Sequence, residues 1–79
     1  MSVYDDIREE RVVQNSQGYT VTHDDSHRLH DWAALLAQWV GKLAWCPTKG
    51  QRRRVLVAIA AIAVAAIESH DRRKDGILL

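Results

Sequence analysis

Cysteine, proline and methionine occur once each in the 79 residues, and no acid or base dominates. The lone Cys46 excludes an intrachain disulfide and fits a reducing, cytoplasmic setting. The longest apolar run, residues 55–67 (VLVAIAAIAVAAI), has 13 residues. A bilayer span needs about 20, and runs of about 10 to 14 are more often buried helices, so no membrane role is expected. The first fourteen residues carry Asp5, Asp6, Arg8, Glu9, Glu10 and Arg11 where the apolar core of a secretory signal would have to lie, so none is expected. With 11 bases against 10 acids the formal net charge is +1. That balance argues against a general, sequence-independent DNA binder. No internal repeat is visible, and alanine richness is confined to the last third.

A chain of this length makes one domain, here residues 1–79, and buries only about 60 to 65% of its unfolded surface. Its own core is marginal, and with disulfides excluded the remaining aids are a metal or a second subunit. Hydrophobic periodicity predicts an all-α fold of three helices at residues 3–14, 26–45 and 49–73. Ser2 with Asp5 forms a capping-box-like start to the first, which places Tyr4, Ile7 and Arg11 on one stripe, with Val12 and Val13 near its end. Asn15, Ser16, Gln17 and Gly18 break it, and residues 19–22 read as extended. In the second helix Leu29, Trp32, Leu36, Trp39 and Leu43 recur at three and four residues, with Leu35 and Val40 widening the stripe. Asp24, Asp25 and Ser26 supply caps at its start, and Gly41, Cys46 and Pro47 mark its end. Thr48 and Gln51 open the third helix, and Asp75-Gly76 follow it.

The third helix is apolar on every side, and such a helix must be surrounded. Two shorter helices, one largely charged, cannot cover it. A homodimer is therefore expected, with the bulky face Val55, Ile59 and Ile62 and the small-residue face Ala58, Ala61 and Ala65 at the interface.

Chemistry concentrates in THDDSHRLHD, residues 22–31. With a helix starting near Ser26, His27, His30 and Asp31 share a face that His23 could reach from the loop, a spacing that could chelate zinc. Cys46 lies at the far end of that helix. The preferred reading is that Asp24 and Asp25 cap the helix, His27 and His30 are solvated and His23 hydrogen-bonds in a turn, so no metal and no cofactor are expected. Glu9-Glu10 and Glu68-x-x-Asp71 echo the acidic motifs of all-helical nucleotide pyrophosphohydrolases. Val13 stands where a third glutamate should be, which leaves the metal cage short of carboxylates. Cys46 has no histidine near it in sequence, and the chain is not expected to be an enzyme.

Charge is segregated along the chain. Residues 1–31 hold seven acids and three arginines, whereas residues 42–79 hold eight bases and three acids. Lys49, Arg52, Arg53 and Arg54 crowd the first turn of the last helix, where positive charge opposes the helix dipole. A local rule broken without local gain marks a candidate contact site. Either Asp5, Asp6, Glu9 or Glu10 neutralise these arginines, or the arginines face an external anion or acidic surface. The four acids are themselves a candidate contact face, one suited to a basic nucleic-acid channel in another protein. No helix presents groove-reading side chains, so direct sequence-specific DNA binding is not expected.

The pattern Glu10-Arg11-x-x-Gln14, then Gly18-Tyr19-Thr20-x-x-His23-Asp24-Asp25-x-His27, followed by the Ala33-Ala34 helix, resembles one that recurs in small phage and prophage proteins. The likeness runs through the Ala44-Trp45-Cys46-Pro47 turn to the arginine-rich start of the last helix and covers about two thirds of the chain. It implies a phage-encoded accessory protein in the host bacterial cytoplasm. Its size and split charge resemble those of anti-CRISPR proteins, which implies an inhibitor that binds a type I CRISPR surveillance complex and blocks target DNA binding. Two alternatives stand beside it: a sponge for a cyclic nucleotide signal, with Arg52 to Arg54 and Tyr19 or Trp45 as phosphate and base contacts, and a phage DNA-binding regulator.

Overall fold

A computed structural model describes residues 2–18 and 20–73. These residues form four helices, α1 (Val3–Ser16), α2 (Val21–Asp25), α3 (Leu29–Leu43) and α4 (Lys49–Arg72), and no strand among them. The all-α expectation holds, with four helices in place of three. Tyr19, Lys74, Asp75 and Gly76 lie outside the described residues.

The added helix arises from side-chain capping. The segment read as extended begins with Thr20, whose hydroxyl accepts the His23 amide at 3.4 Å and starts a single turn. Asp24 and Asp25 therefore lie inside α2 and cap nothing. The long helix starts three residues later than expected, with Arg28 as its N-cap. There Asp31 reaches back to accept the Arg28 amide at 2.9 Å. Other caps follow the expected chemistry. Ser2 and Asp5 form the reciprocal box, and the Thr48 hydroxyl accepts the Gln51 amide at 3.1 Å. The α1 C-terminus turns at Gly18, whose φ of 101° only glycine adopts without strain.

Helix α4 is the axis on which the other three pack. Its stripe Ala58, Ala61, Ala65 and Ser69 is buried, and small side chains there let neighbouring helices approach closely. Ile62 and Ala65 join Trp32 in the core, with Leu35, Leu36, Trp39 and Ala66 packed against them. Of the six residues expected at an interface between copies, four are already buried. Ala58, Ala61, Ile62 and Ala65 lie inside one chain's own fold, and Val55 and Ile59 are half-buried. The exposed apolar face of α4 is a different one, carrying Leu56, Val64 and Ile67. The docking of α1 also departs from expectation. Tyr4 and Val12 point outward, Val13 is exposed at the rim of the inter-helix cavity, and the inward face is Ile7, Glu10, Arg11 and the buried Gln14. No helix of the described residues is long and apolar enough to cross a membrane.

Truncating Ile62 to Ala should cost about 2–5 kcal/mol by removing buried methylenes and leaving a cavity. Val12→Ala, on the exposed face of α1, should stay within about 0.5 kcal/mol. Urea denaturation followed by circular dichroism reads both.

Candidate functional site

Because α1 and α3 lie on α4 with a gap between them, a groove runs over α4. Toward α2 it deepens into a cavity of about 240 Å³, lined by residues of all four helices and by His27 of the α2–α3 connection. Its polar wall is Arg11, Gln14, His23, Asp24 and His27, and its apolar floor includes Trp32, Trp39 and Ile62. Toward the start of α4 a second, more open hollow is lined by Asp6, Glu10, Trp39, Arg53 and Arg54. Glu10 and Trp39 border both, which makes the groove continuous.

Asp24 is the most confined charge of the first cavity, 3% exposed. The Arg11 Nη2 donates to its Oδ2 at 3.3 Å, while His23 Nδ1 lies 3.4 Å from its Oδ1. Arg11 also donates to Gln14 Oε1 at 3.1 Å and stands 3.8 Å from the Glu68 carboxylate. On the other side the Ser69 hydroxyl donates to the Asp24 carbonyl at 3.3 Å. The imidazoles of His23 and His27 meet edge to face with centroids 4.6 Å apart, and His27 lies 4.9 Å from the Trp32 ring. Among the described residues, His27 Nδ1 and Trp32 Nε1 are buried without a hydrogen-bond partner. A buried polar atom left so costs about 1–3 kcal/mol.

The histidine grouping therefore differs from the one the sequence suggested. His30 and Asp31 pair with each other at the surface, 3.4 Å apart, and His70 does the same with Asp71 at 3.2 Å. His23, Asp24 and His27 instead present one ligand atom each, all within 4.8 Å of one another. The signal available in sequence was the His-Asp-x-x-His spacing, obscured by the placement of the helix start.

The charged end assembles in part as expected. Arg53 pairs with Asp6 of α1. The Arg52 guanidinium folds back onto the Cys46 and Pro47 carbonyls at 3.2 and 3.5 Å, which secures the turn before α4. Lys49 and Arg54 are exposed and make no ion pair with the described residues, and neither do Glu9 and the half-buried Glu10. Asp5 is engaged by the Ser2 cap and by Arg8 at 3.6 Å. Trp45, 87% exposed, lines a shallow depression with Cys46, Pro47 and Arg54. At the opposite end Arg72 holds α4 to the last residue of α2 and Arg73 holds it to the α2–α3 connection. Arg72 grips the Asp25 carboxylate through Nε and Nη2 at 2.7–3.1 Å, and Arg73 donates to the His27 carbonyl at 2.8 Å. Sequence reasoning counted these two arginines as basic residues and missed their structural role.

Comparison with family models, with curated proteins and with solved structures finds no match.

The Arg72 hydrogen bonds hold the Asp25 carboxyl below the ordinary aspartate value, and the Arg28 amide does the same for Asp31. A carboxyl whose folded value is depressed contributes stability that is present above its unfolded pKa and is lost as pH falls through the folded one. Melting temperature should therefore decline below about pH 4, the unfolded aspartate value. Arg72→Gln should shallow that acid limb while leaving the Asp31 part intact, as a series of melts from about pH 6 to about pH 2 would read.

Proposed function

We propose that the chain acts by stoichiometric binding, and that its contact surface is the mixed-charge end where the acids of α1 meet the basic first turns of α4. The observation that carries this reading is uneven neutralisation. Asp6 takes Arg53, whereas Lys49, Arg54 and Glu9 stay exposed and Arg54 lines one hollow with the half-buried Glu10. Exposed charge of both signs on one surface suits recognition of a partner that is itself a patchwork of bases and acids. Its resemblance to small phage accessory proteins suggests that partner: a type I CRISPR surveillance complex in the host cytoplasm, whose DNA path the bound chain occludes. The cyclic-nucleotide alternative draws support from one juxtaposition, Arg54 lining the same depression as the exposed Trp45.

A gel shift of target DNA by purified type I complexes, with and without the protein and with a DNA-only lane, tests the leading reading. The band should disappear for one complex, and the protein alone should leave DNA unshifted. Because Arg53 serves the fold, the informative variant is Lys49→Glu with Arg54→Glu, which should weaken inhibition about tenfold or more, or about 1.4 kcal/mol. Unchanged binding by every complex would defeat this function. A nucleotide released on denaturing protein purified from signal-producing cells would then support the sponge.

The dimer also belongs to this proposal, on a different face of α4. Leu56, Ala60, Ala63, Val64 and Ile67 recur at helical spacing, and Leu56 and Ile67 are 53% and 60% exposed. Antiparallel pairing of two such stripes sets Leu56 of one copy against Ile67 of the other and Ala60 against Ala63. It also brings the basic start of one α4 beside Asp71 of the other. Light scattering should report a dimer that Leu56→Glu with Ile67→Glu converts to a folded monomer; a wild-type monomer at high concentration would rule the interface out.

A further inference from the structure

We propose that His23, Asp24 and His27 form a binding site for a divalent transition-metal ion of the zinc class, with an open position toward the cavity. This site lies apart from the mixed-charge end and does not depend on the function proposed for it.

Three observations converge. The donor set is two imidazole nitrogens and one carboxylate oxygen, the combination that suits zinc, cobalt or nickel; magnesium and calcium take mostly oxygen. The geometry is close to a ligand set. The three donor atoms lie within 4.8 Å of one another, and the His23 Nδ1 to Asp24 Oδ1 separation is already 3.4 Å. Ligands on a tetrahedral zinc with bonds of about 2.0–2.1 Å stand about 3.4 Å apart, so small rotations of the imidazoles complete the approach. Finally, His27 Nδ1 is buried without a partner among the described residues, whereas a settled core histidine has its ring nitrogens satisfied.

The surroundings of Asp24 support this assignment. Arg11 binds Oδ2 and leaves Oδ1 on the histidine side, an arrangement in which an outer partner orients a ligating carboxylate. The nearby guanidinium opposes a cation electrostatically, but Arg11 also faces Gln14 and Glu68, which draw it away from Oδ1. Three protein ligands leave a fourth position for water or a small anion. The adjoining cavity of about 240 Å³ supplies the room.

The test uses the full chain, with Zn²⁺ titrated calorimetrically and Co²⁺ followed by its visible d–d absorption, in the native sequence and with Cys46→Ser so that no thiolate can serve as ligand. One ion per chain is expected in both, with low-coordinate cobalt bands and a raised melting temperature, since an ion that binds the folded state alone stabilises it. His27→Gln and His23→Asn, each checked for native circular dichroism, should weaken binding by about tenfold or more. His30→Ala with His70→Ala, which alters only surface histidines, should leave it unchanged. Absence of binding at about 100 µM free Zn²⁺, or binding lost with His30 and His70 but retained without His23 and His27, would overturn the site.

Discussion

The fold depends on one buried carboxylate. Asp24 ends up 3% exposed at the junction of three helices, with Arg11 of α1 on its side chain and Ser69 of α4 on its carbonyl. A buried charge stripped of its partner costs about 3–5 kcal/mol, a large part of the roughly 4–12 kcal/mol that a domain of this size has in total. The pair thus dictates how α1 sits. The inward residues of α1 are Ile7, Glu10, Arg11 and Gln14, and this set buries little apolar surface; charge and hydrogen bonds set its register on α4.

That mode of docking also accounts for the cavity. Helices joined by interdigitating apolar side chains close against one another, as α3 and α4 do through Trp32, Ile62 and Ala65. Helix α1 reaches Asp24 through a long guanidinium, so α1 and α3 stay apart. The space between them has an apolar floor and a polar wall because one neighbour packs by burial and the other by ion pairing.

Sequence patterns made α3 and α4 legible because their apolar residues recur at helical spacing, and the caps at Ser2 and Thr48 were readable because capping is local. Helix α2 escaped because five residues are too few to show a period, and because aspartate looks the same one turn inside a helix as it does at a cap. The deciding residue was Asp31, three positions after Arg28. The long-range pairs could not be read at all: Asp6 with Arg53 and Asp25 with Arg72 each span 47 positions, and nothing local selects one acid from several. A related ambiguity concerns the expected interface. When a helix is apolar all round, periodicity cannot tell the stripe that its own chain covers from the one left outside, and the alanines that invited a second copy are filled from within. Of the candidate site, the residue types of the histidine cluster and of the basic turn were visible. Their grouping was not, since it follows from the break at residues 26–28.

Helix α1 is held at both ends by ion pairs of unequal strength. Arg11 is secured to a buried carboxylate, whereas the Asp6–Arg53 pair joins a half-buried acid to an exposed guanidinium and belongs to the class worth about 0–1 kcal/mol. The N-terminal end of α1, which carries Asp5 and Asp6, is consequently the end that can rearrange at small cost. Opening the Asp6–Arg53 pair leaves the core undisturbed, because the buried pair keeps the rest of α1 in place. Unequal anchoring reconciles a marginal 79-residue fold with an adaptable charged surface.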